Sequence, residues 1–381
     1  MSVSVITGDC RDVLATLPAK HFHTCVTSPP YFGLRDYGVD GQIGLEPTPD
    51  EFVGELVKVF REVRRVLRDD GTVWLNLGDS YARQGGKTSG VSRHWDGRTS
   101  DPGGQHHTRH VDNLEGLKPK DLIGIPWRVA FALQADGWYL RQDIIWSKPN
   151  PMPESVTDRC TKAHEYIFLL SKSPRYWFDA KAIAEPFADE RMGASGVVHG
   201  VPEAYAGAAG RGGDQGLSKF NGADRTGRNR RSVWTVATQP FSQAHFATFP
   251  PALIEPCILA GCPAQCCEAC GAPYERQVER GAVTGRHDAG GVVGMADAGM
   301  YSGRAGNTEI KTTGFAPTCT CGAGIADGNV LDPFGGAGTT GMVADRLQRN
   351  ATLIELNPAY AKIAHDRMID DGGMFTEVAA E

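Results

Sequence analysis

No stretch of this 381-residue chain is a long uninterrupted apolar run, and nothing like a secretory leader precedes the strand-forming residues Val3, Val5 and Ile6. A bilayer-spanning helix needs about 20 consecutive apolar residues, so no span and no membrane partner are expected, and the chain is placed in the cytoplasm. Excess positive charge is missing too. With 39 Lys and Arg against 45 Asp and Glu the formal net charge is −6, so any attraction to nucleic acid must come from local patches. The cysteine pairs Cys267/Cys270 and Cys319/Cys321 contain no histidine, which argues against a catalytic zinc. With 41% apolar residues, the length suffices for one large core plus insertions.

What is present begins with Thr27-Ser28-Pro29-Pro30-Tyr31, set where the apolar strand Thr24-Cys25-Val26 runs out. Two prolines fix φ at adjacent positions and remove two backbone donors, so the Ser28 hydroxyl and the Ser28 or Pro29 carbonyl are held as rigid acceptors. The Tyr31 ring adds a flat surface on which a planar ligand can stack. Acceptors beside a stacking ring suit the exocyclic amino group of a base. Alone, the tetrapeptide equally fits a polyproline-like turn leaving a strand.

Near the opposite end, Asn329 to Asp332, the spacing Gly336-x-Gly338-x-x-Gly341, and Ala351 to Glu355 read as strand, glycine turn, helix, and strand ending in an acid. This is a dinucleotide-type fingerprint, with Glu355 suited to ribose hydroxyls, and it makes a dehydrogenase the obvious rival. Only a helix, Pro358 to about Asp370, and a short tail follow. The strands that complete the sheet must then be N-terminal ones: Val3 to Ile6, Thr24 to Val26 and Thr72 to Leu77. The expected fold is α/β, a mostly parallel Rossmann-like sheet flanked by helices and circularly permuted, with its catalytic loop encoded first and its cofactor loop last.

On these motifs the chain resembles the amino-group (N4-cytosine or N6-adenine) DNA methyltransferases of the permuted β group. Thr27-Ser-Pro-Pro-Tyr31 matches their catalytic motif and Asp332-Pro-Phe-Gly-Gly-Ala-Gly338 their cofactor motif. Gly8-Asp9-Cys10 resembles the element that meets the adenine of S-adenosylmethionine, His245 to Phe249-Pro250 the segment closing the other side of the pocket, and Ile354-Glu355-Leu356-Asn357 the ribose-binding strand end. The resemblance implies an S-adenosylmethionine-dependent enzyme acting on double-stranded DNA, with the target base flipped out. It puts catalysis at Ser28, Pro29, Pro30 and Tyr31. It puts cofactor contacts at Asp9, Cys10, Thr27, His245, Phe249, Asp332, Phe334, Gly336, Gly338, Thr339, Thr340, Glu355 and Asn357. Asp332 would meet the methionine ammonium and Glu355 both ribose hydroxyls. Ser rather than Asp at position 28 favours cytosine N4 over adenine N6. A methylase of protein or RNA amides and an inactive zinc-containing DNA-binding protein are the alternatives. A partner restriction endonuclease and the oligomeric state are left open.

Ten cysteines in such a chain favour a metal site over disulfides. Cys267-Glu-Ala-Cys270 has knuckle spacing and Cys319-Thr-Cys321 supplies a tighter pair, so one structural zinc on these four thiolates is expected, with the glycine-rich 281–306 looping out between them. Cys262 or Cys266 could replace a knuckle member, and ordinary small hydrophobes are the competing reading.

From Arg211 to Arg231 six bases outnumber two acids. Arg225, Arg228, Arg230 and Arg231 are therefore candidates for DNA phosphates, a solvated linker being the plainer reading. The expected organisation is a catalytic half at 1–81, a mobile insert at 82–118 bearing His94, His106, His107 and His110, core at 119–182, a target-recognition region at 183–231, a cofactor-pocket segment at 232–262, a zinc-ribbon insert at 263–322 and a cofactor-binding half at 323–381. Trp95 and Trp234 are weighed as base-stacking residues, though isolated tryptophans more often pack in cores.

Overall fold

The structure is a computed structural model that describes residues 2–34, 36, 38–82, 116–186, 228–239, 248–284, 307–372 and 377–380. Trp95, the four histidines of the 82–118 insert, Arg225, His245, most of the proposed recognition region and the glycine-rich 285–306 lie outside these residues. The strands are β1 (Ser2–Thr7), β2 (Phe22–Thr27), β3 (Leu67–Leu77), β4 (Tyr139–Ser147), β5 (His164–Ser171), β6 (Val233–Thr235), β7 (Gln265–Cys267), β8 (Tyr274–Thr284), β9 (Asn307–Pro317), β10 (Ile325–Asp327), β11 (Asn329–Asp332), β12 (Asn350–Glu355) and β13 (Glu377–Ala380). The helices are α1 (Cys10–Thr16), α2 (Pro49–Val66), α3 (Ile125–Ala135), α4 (Pro251–Gly261), α5 (Thr339–Arg346) and α6 (Pro358–Gly372). Among the described residues no helix is long and apolar enough to cross a membrane.

Nine strands form one sheet in the order β13-β1-β12-β11-β2-β3-β5-β4-β6. Neighbours from β13 through β3 run parallel, whereas β5 is antiparallel to both β3 and β4. Head and tail of the chain therefore meet in the middle of the sheet, where Thr24 and Cys25 of β2 face Val330 and Leu331 of β11. One face is covered by α1, α2 and α3 and the other by α4, α5 and α6, each with its own buried apolar cluster.

Local chemistry explains the helix starts. Thr48 caps α2 by accepting from the Glu51 N–H, Pro49 occupies the first turn where no donor is needed, and Phe52, Leu56, Val59, Phe60 and Val63 form the buried stripe. Burying each of the larger side chains in that stripe contributes about 1.5–3 kcal/mol. Helix α3 begins at Ile125, because Gly124 adopts φ +78° and Asp79 Oδ1 accepts from both Gly124 N and Ile125 N at 3.0 Å. The turn-forming residues Asp69-Asp70-Gly71 lie within the first part of β3, which starts at Leu67 opposite Phe22, with Arg68 paired to Asp70. In α5, a Cβ on Gly338 would approach Ala364 Cβ to 2.9 Å, and one on Gly341 would reach Met368 Sδ at 2.5 Å. Two glycines of the fingerprint thus allow α5 to sit against α6 and β12.

At the centre of the sheet Asp332, 1% exposed, accepts from Thr27 Oγ1 at 2.6 Å, Thr340 Oγ1 at 2.6 Å and Phe334 N at 3.1 Å. One carboxylate thereby ties the end of β2, the end of β11 and the start of α5. Burial pushes its pKa from the ordinary 3.8 up to about 6, against the pull of the two hydroxyls. The native state then binds this proton more tightly than the unfolded chain does, so the group's stabilising contribution is present below about pH 4 and is lost as pH rises through 6. Urea titrations should show the unfolding free energy of the native sequence falling relative to Asp332→Asn by up to about 3 kcal/mol over that window. A difference that stays flat with pH would contradict the burial argument.

Candidate active site

A cavity of about 800 Å³ opens at the C-terminal ends of β1, β2, β3, β11 and β12, the crevice position of open α/β sheets. Its lining combines the two ends of the chain: Ser28, Pro29, Pro30 and Tyr31 from the loop after β2, and Phe334, Gly336, Thr339, Glu355 and Asn357 from the loops after β11 and β12. Asp9, Cys10 and Phe249 also line it. Thr27, Asp332 and Thr340 form the buried cluster beneath it. Asp332, expected at the methionine ammonium, directs its carboxylate into that cluster, and Gly338 packs on Ala364.

On the cofactor-loop side, Glu355 accepts from Gly336 N through Oε2 and from Asn357 N through Oε1, both at 2.8 Å. Burial raises its pKa, partly offset by these two backbone donors. The acid at the end of β12 therefore holds the glycine turn against its own strand end. Asp9 caps α1 through Arg11 N and also pairs with the Arg11 guanidinium, whose hydrogen bonds hold its carboxyl below the ordinary value. Burial pushes the Cys10 thiol up to about 12, leaving it a packing group.

On the serine side, five polar side chains from four segments converge: Ser28 and Tyr31 from the loop after β2, Asn76 from β3, Lys148 from the loop after β4 and Glu165 from β5. Ser28 Oγ donates to Asn76 Oδ1 at 3.3 Å, while Asn76 Nδ2 donates to Tyr166 O at 3.1 Å and to Glu165 Oε2 at 3.3 Å. The carbonyl partner of Nδ2 orients the amide, so Oδ1 takes the Ser28 hydrogen and the lone pairs of Oγ are left as acceptors. Tyr31 Oη donates to Glu165 Oε2 at 2.7 Å, and Lys148 Nζ pairs with Glu165 Oε1 and lies 4.2 Å from the Trp146 ring centroid. The Tyr31 ring packs against Gly78, where an added Cβ would approach Tyr31 Cε2 to 2.5 Å.

Asn76, Gly78, Lys148 and Glu165 were not singled out from the sequence. Signals were present: Asn76 is the one amide in the buried run Val73 to Leu77, Glu165 opens an apolar strand, and Lys148 begins a proline-spaced loop.

The remaining described candidates lie apart from this cavity. Arg228 and Arg231 both pair with Glu185, and the Arg230 guanidinium sits 4.6 Å over the Trp234 ring. Trp234 is 4% exposed and donates to Arg231 O, a packing position that removes it from the base-stacking candidates. Sγ atoms of Cys267, Cys270, Cys319 and Cys321 all lie within 4.8 Å of one another. The β8–β9 hairpin brings the two pairs together by setting Tyr274 opposite Pro317. Backbone N–H groups of Cys270 and Ala269 lower the Cys267 thiol to about 7. Cys257, Cys262 and Cys266 instead donate to backbone carbonyls as buried side chains.

The family model described as DNA methylase matches residues 22–265 and 323–366. The Type II methyltransferase M.SmaI of Serratia marcescens is 39% identical over 97% of this chain and 91% of its own length. M.XycI of Xanthomonas campestris pv. cyanopsidis is 40% identical over 98% and 90%. The chain belongs to the DNA methylase family. It is an S-adenosylmethionine-dependent DNA methyltransferase of the amino-group type. The solved PvuII DNA methyltransferase (cytosine-N4-specific) shares the fold, with a TM-score of 0.52, 14% identity, and coverage of 100% of this chain and 95% of that one.

In this methyltransferase Gly78→Ala should tilt the Tyr31 ring and lower turnover roughly 10- to 100-fold, since misplacement by about 1 Å costs rate on that scale. Binding of tritiated S-adenosylmethionine should be retained. Normal turnover would mean that the contact with Gly78 does not position the ring.

Proposed function

We propose that the methyltransferase moves a methyl group from S-adenosylmethionine to the exocyclic amino group of a base extruded from double-stranded DNA, cytosine N4 before adenine N6. The observation that carries this reading is the single cavity lined by both Ser28 and Glu355, residues that the sequence separates almost end to end. The juxtaposition of β2 with β11 supports the permuted order of catalytic and cofactor motifs.

The cavity fits the donor: it has the volume of a small-molecule site, and a half-buried acid, Glu355, and the aromatic rings of Phe249 and Phe334 line it. Glu355 and Asn357 would hold the ribose and Phe249 and Phe334 the adenine, next to Asp9 and Cys10. S-adenosylmethionine supplies an electrophilic methyl. The protein has to place an amino nitrogen in line with it, and little acid–base chemistry is required. Ser28 Oγ, its hydrogen committed to Asn76, and the Ser28 or Pro29 carbonyl accept the two amino hydrogens, which draws the nitrogen lone pair out of conjugation. Tyr31, fixed by Gly78 and Glu165, supplies the ring against which the extruded base stacks. Serine at position 28 favours cytosine as the target. Arg225, Arg228, Arg230 and Arg231 are proposed to meet DNA backbone outside this pocket, within a recognition region at 183–231. The relatives' designation as Type II methyltransferases supports a place beside a restriction endonuclease.

A structural zinc on Cys267, Cys270, Cys319 and Cys321 belongs to the same reading. Tetrahedral Zn–S bonds of about 2.3 Å put sulfurs roughly 3.8 Å apart, which the four Sγ atoms within 4.8 Å can meet with small shifts. The knuckle docks on the core away from the pocket: Arg68 donates to Cys270 O at 2.5 Å and His23 Nε2 to Gly271 O at 2.8 Å.

Sequencing DNA from cells expressing the chain, with detection of both methylcytosine and methyladenine, should find N4-methylcytosine at one sequence. Ser28→Ala should lower kcat roughly 100-fold, the scale for loss of one positioned polar contact. Methyladenine alone would select the second reading, and no DNA methylation would refute both. Purified protein should carry one zinc per chain by elemental analysis, and Cys270→Ser should lose it and melt at lower temperature. Zinc-free protein of unchanged melting temperature would remove the metal.

A further inference from the structure

The loop that follows β4 carries an unusual tip. Met152 is 87% exposed, more than any other large hydrophobic side chain among the described residues, and it lines the mouth of the active-site cavity. Leu34, 43% exposed and three residues past Tyr31, lines the same cavity from a separate segment. Single exposed apolar residues are common on protein surfaces and carry no meaning by themselves. Met152 differs in how its backbone is held. Pro149, Pro151 and Pro153 fix φ at alternate positions. Asn150 clamps the loop from the side, accepting from Thr238 N at 2.9 Å and donating to Thr238 O at 3.2 Å, while Lys148 N donates to Ala163 O at 2.8 Å. An apolar side chain is thus presented to solvent on a stiffened support beside a pocket built for a planar base.

The chemistry of the tip narrows what it can meet. Residues 149–153 contain no cation, and three of the five lack a backbone N–H, so the segment offers carbonyl oxygens and an apolar chain, a poor match for phosphate. It suits the interior of a base stack. A base leaving the duplex vacates a layer roughly 3.4 Å thick per strand step, and an unbranched, polarizable thioether chain can enter such a gap. We infer that Met152 is a wedge that enters the DNA stack and fills the space left by the extruded target base, stabilising the open state while Ser28 and Tyr31 hold the base itself. This rests on the base-extruding methyltransferase reading above and adds to it the residue that acts on the duplex, as opposed to the base in the pocket.

The test uses the full chain and two synthetic duplexes carrying the sequence methylated in expressing cells: one fully paired, and one in which an abasic site faces the target base. The second has no pairing to break. On the paired duplex Met152→Ala should lower kcat/KM roughly tenfold or more, whereas Met152→Leu should stay within about threefold of the native sequence, because wedge loss leaves part of the combined unpairing and unstacking cost uncompensated. On the abasic duplex Met152→Ala should come within about threefold of the native sequence. Binding of tritiated S-adenosylmethionine and the melting temperature should be unchanged by either substitution. Equal loss on both duplexes would make Met152 a pocket or folding residue, and no loss on the paired duplex would leave it without a role; either overturns the inference. Failure of the native sequence to methylate both duplexes would overturn the parent reading instead.

Discussion

The buried carboxylate of Asp332 is the interaction on which the site's construction depends. Lying 305 residues from Thr27 in sequence, it joins Thr27, at the end of the strand that delivers the serine loop, to Thr340, at the start of the helix that follows the glycine turn. Three donors converge on a group with 1% of its surface exposed, so the separation of the two loops is set by short hydrogen bonds in a medium where leaving any of them unmade is costly. The parallel pairing of β2 with β11 brings the strands together, and this cluster fixes how their ends meet.

Above that anchor the two halves of the cavity follow the same design in different chemistry. Glu355 uses both oxygens to hold backbone donors of the glycine turn and of its own strand end, making the cofactor loop a rigid piece. Asn76, oriented by Tyr166 O, turns the Ser28 hydroxyl into an acceptor facing the cavity, and Glu165 joins Tyr31 to Lys148. In each half a polar side chain on a strand holds a neighbouring loop through hydrogen bonds. Such residues touch their partners through a few fixed bonds, which is how positioning is achieved with little motion.

The cysteine knuckle stands at the other ends of the same strands. His23, near the start of β2, accepts from Asn329 N at 3.0 Å through Nδ1 and donates from Nε2 to Gly271 O, and burial lowers its pKa to about 4, in keeping with a neutral ring that bridges two backbones. The knuckle is thereby docked under β2 and β11, remote from the cavity at their C-terminal ends. That placement suits a group that stiffens the sheet.

By itself the sequence determined the elements and the two loops. Proline pairs, glycine spacing, the Thr48 cap and the stripe from Phe52 to Val63 are local signals, encoded within a few residues and enforced by backbone sterics and hydrogen-bonding needs. The need for N-terminal strands to finish a sheet begun at the C-terminus was also legible, because the apolar runs Val3 to Ile6, Thr24 to Val26 and Thr72 to Leu77 stand at the other end of the chain. Tertiary structure alone decided the rest: that Asp332 serves the sheet while Glu355 holds the glycine turn, that Gly338 and Gly341 accommodate Ala364 and Met368, that Arg228 and Arg231 pair with Glu185, and that Asn76, Gly78, Lys148 and Glu165 surround Ser28 and Tyr31. These roles depend on which side chains approach within about 3 Å after strands distant in sequence become neighbours, and no local pattern of residue types carries that distance.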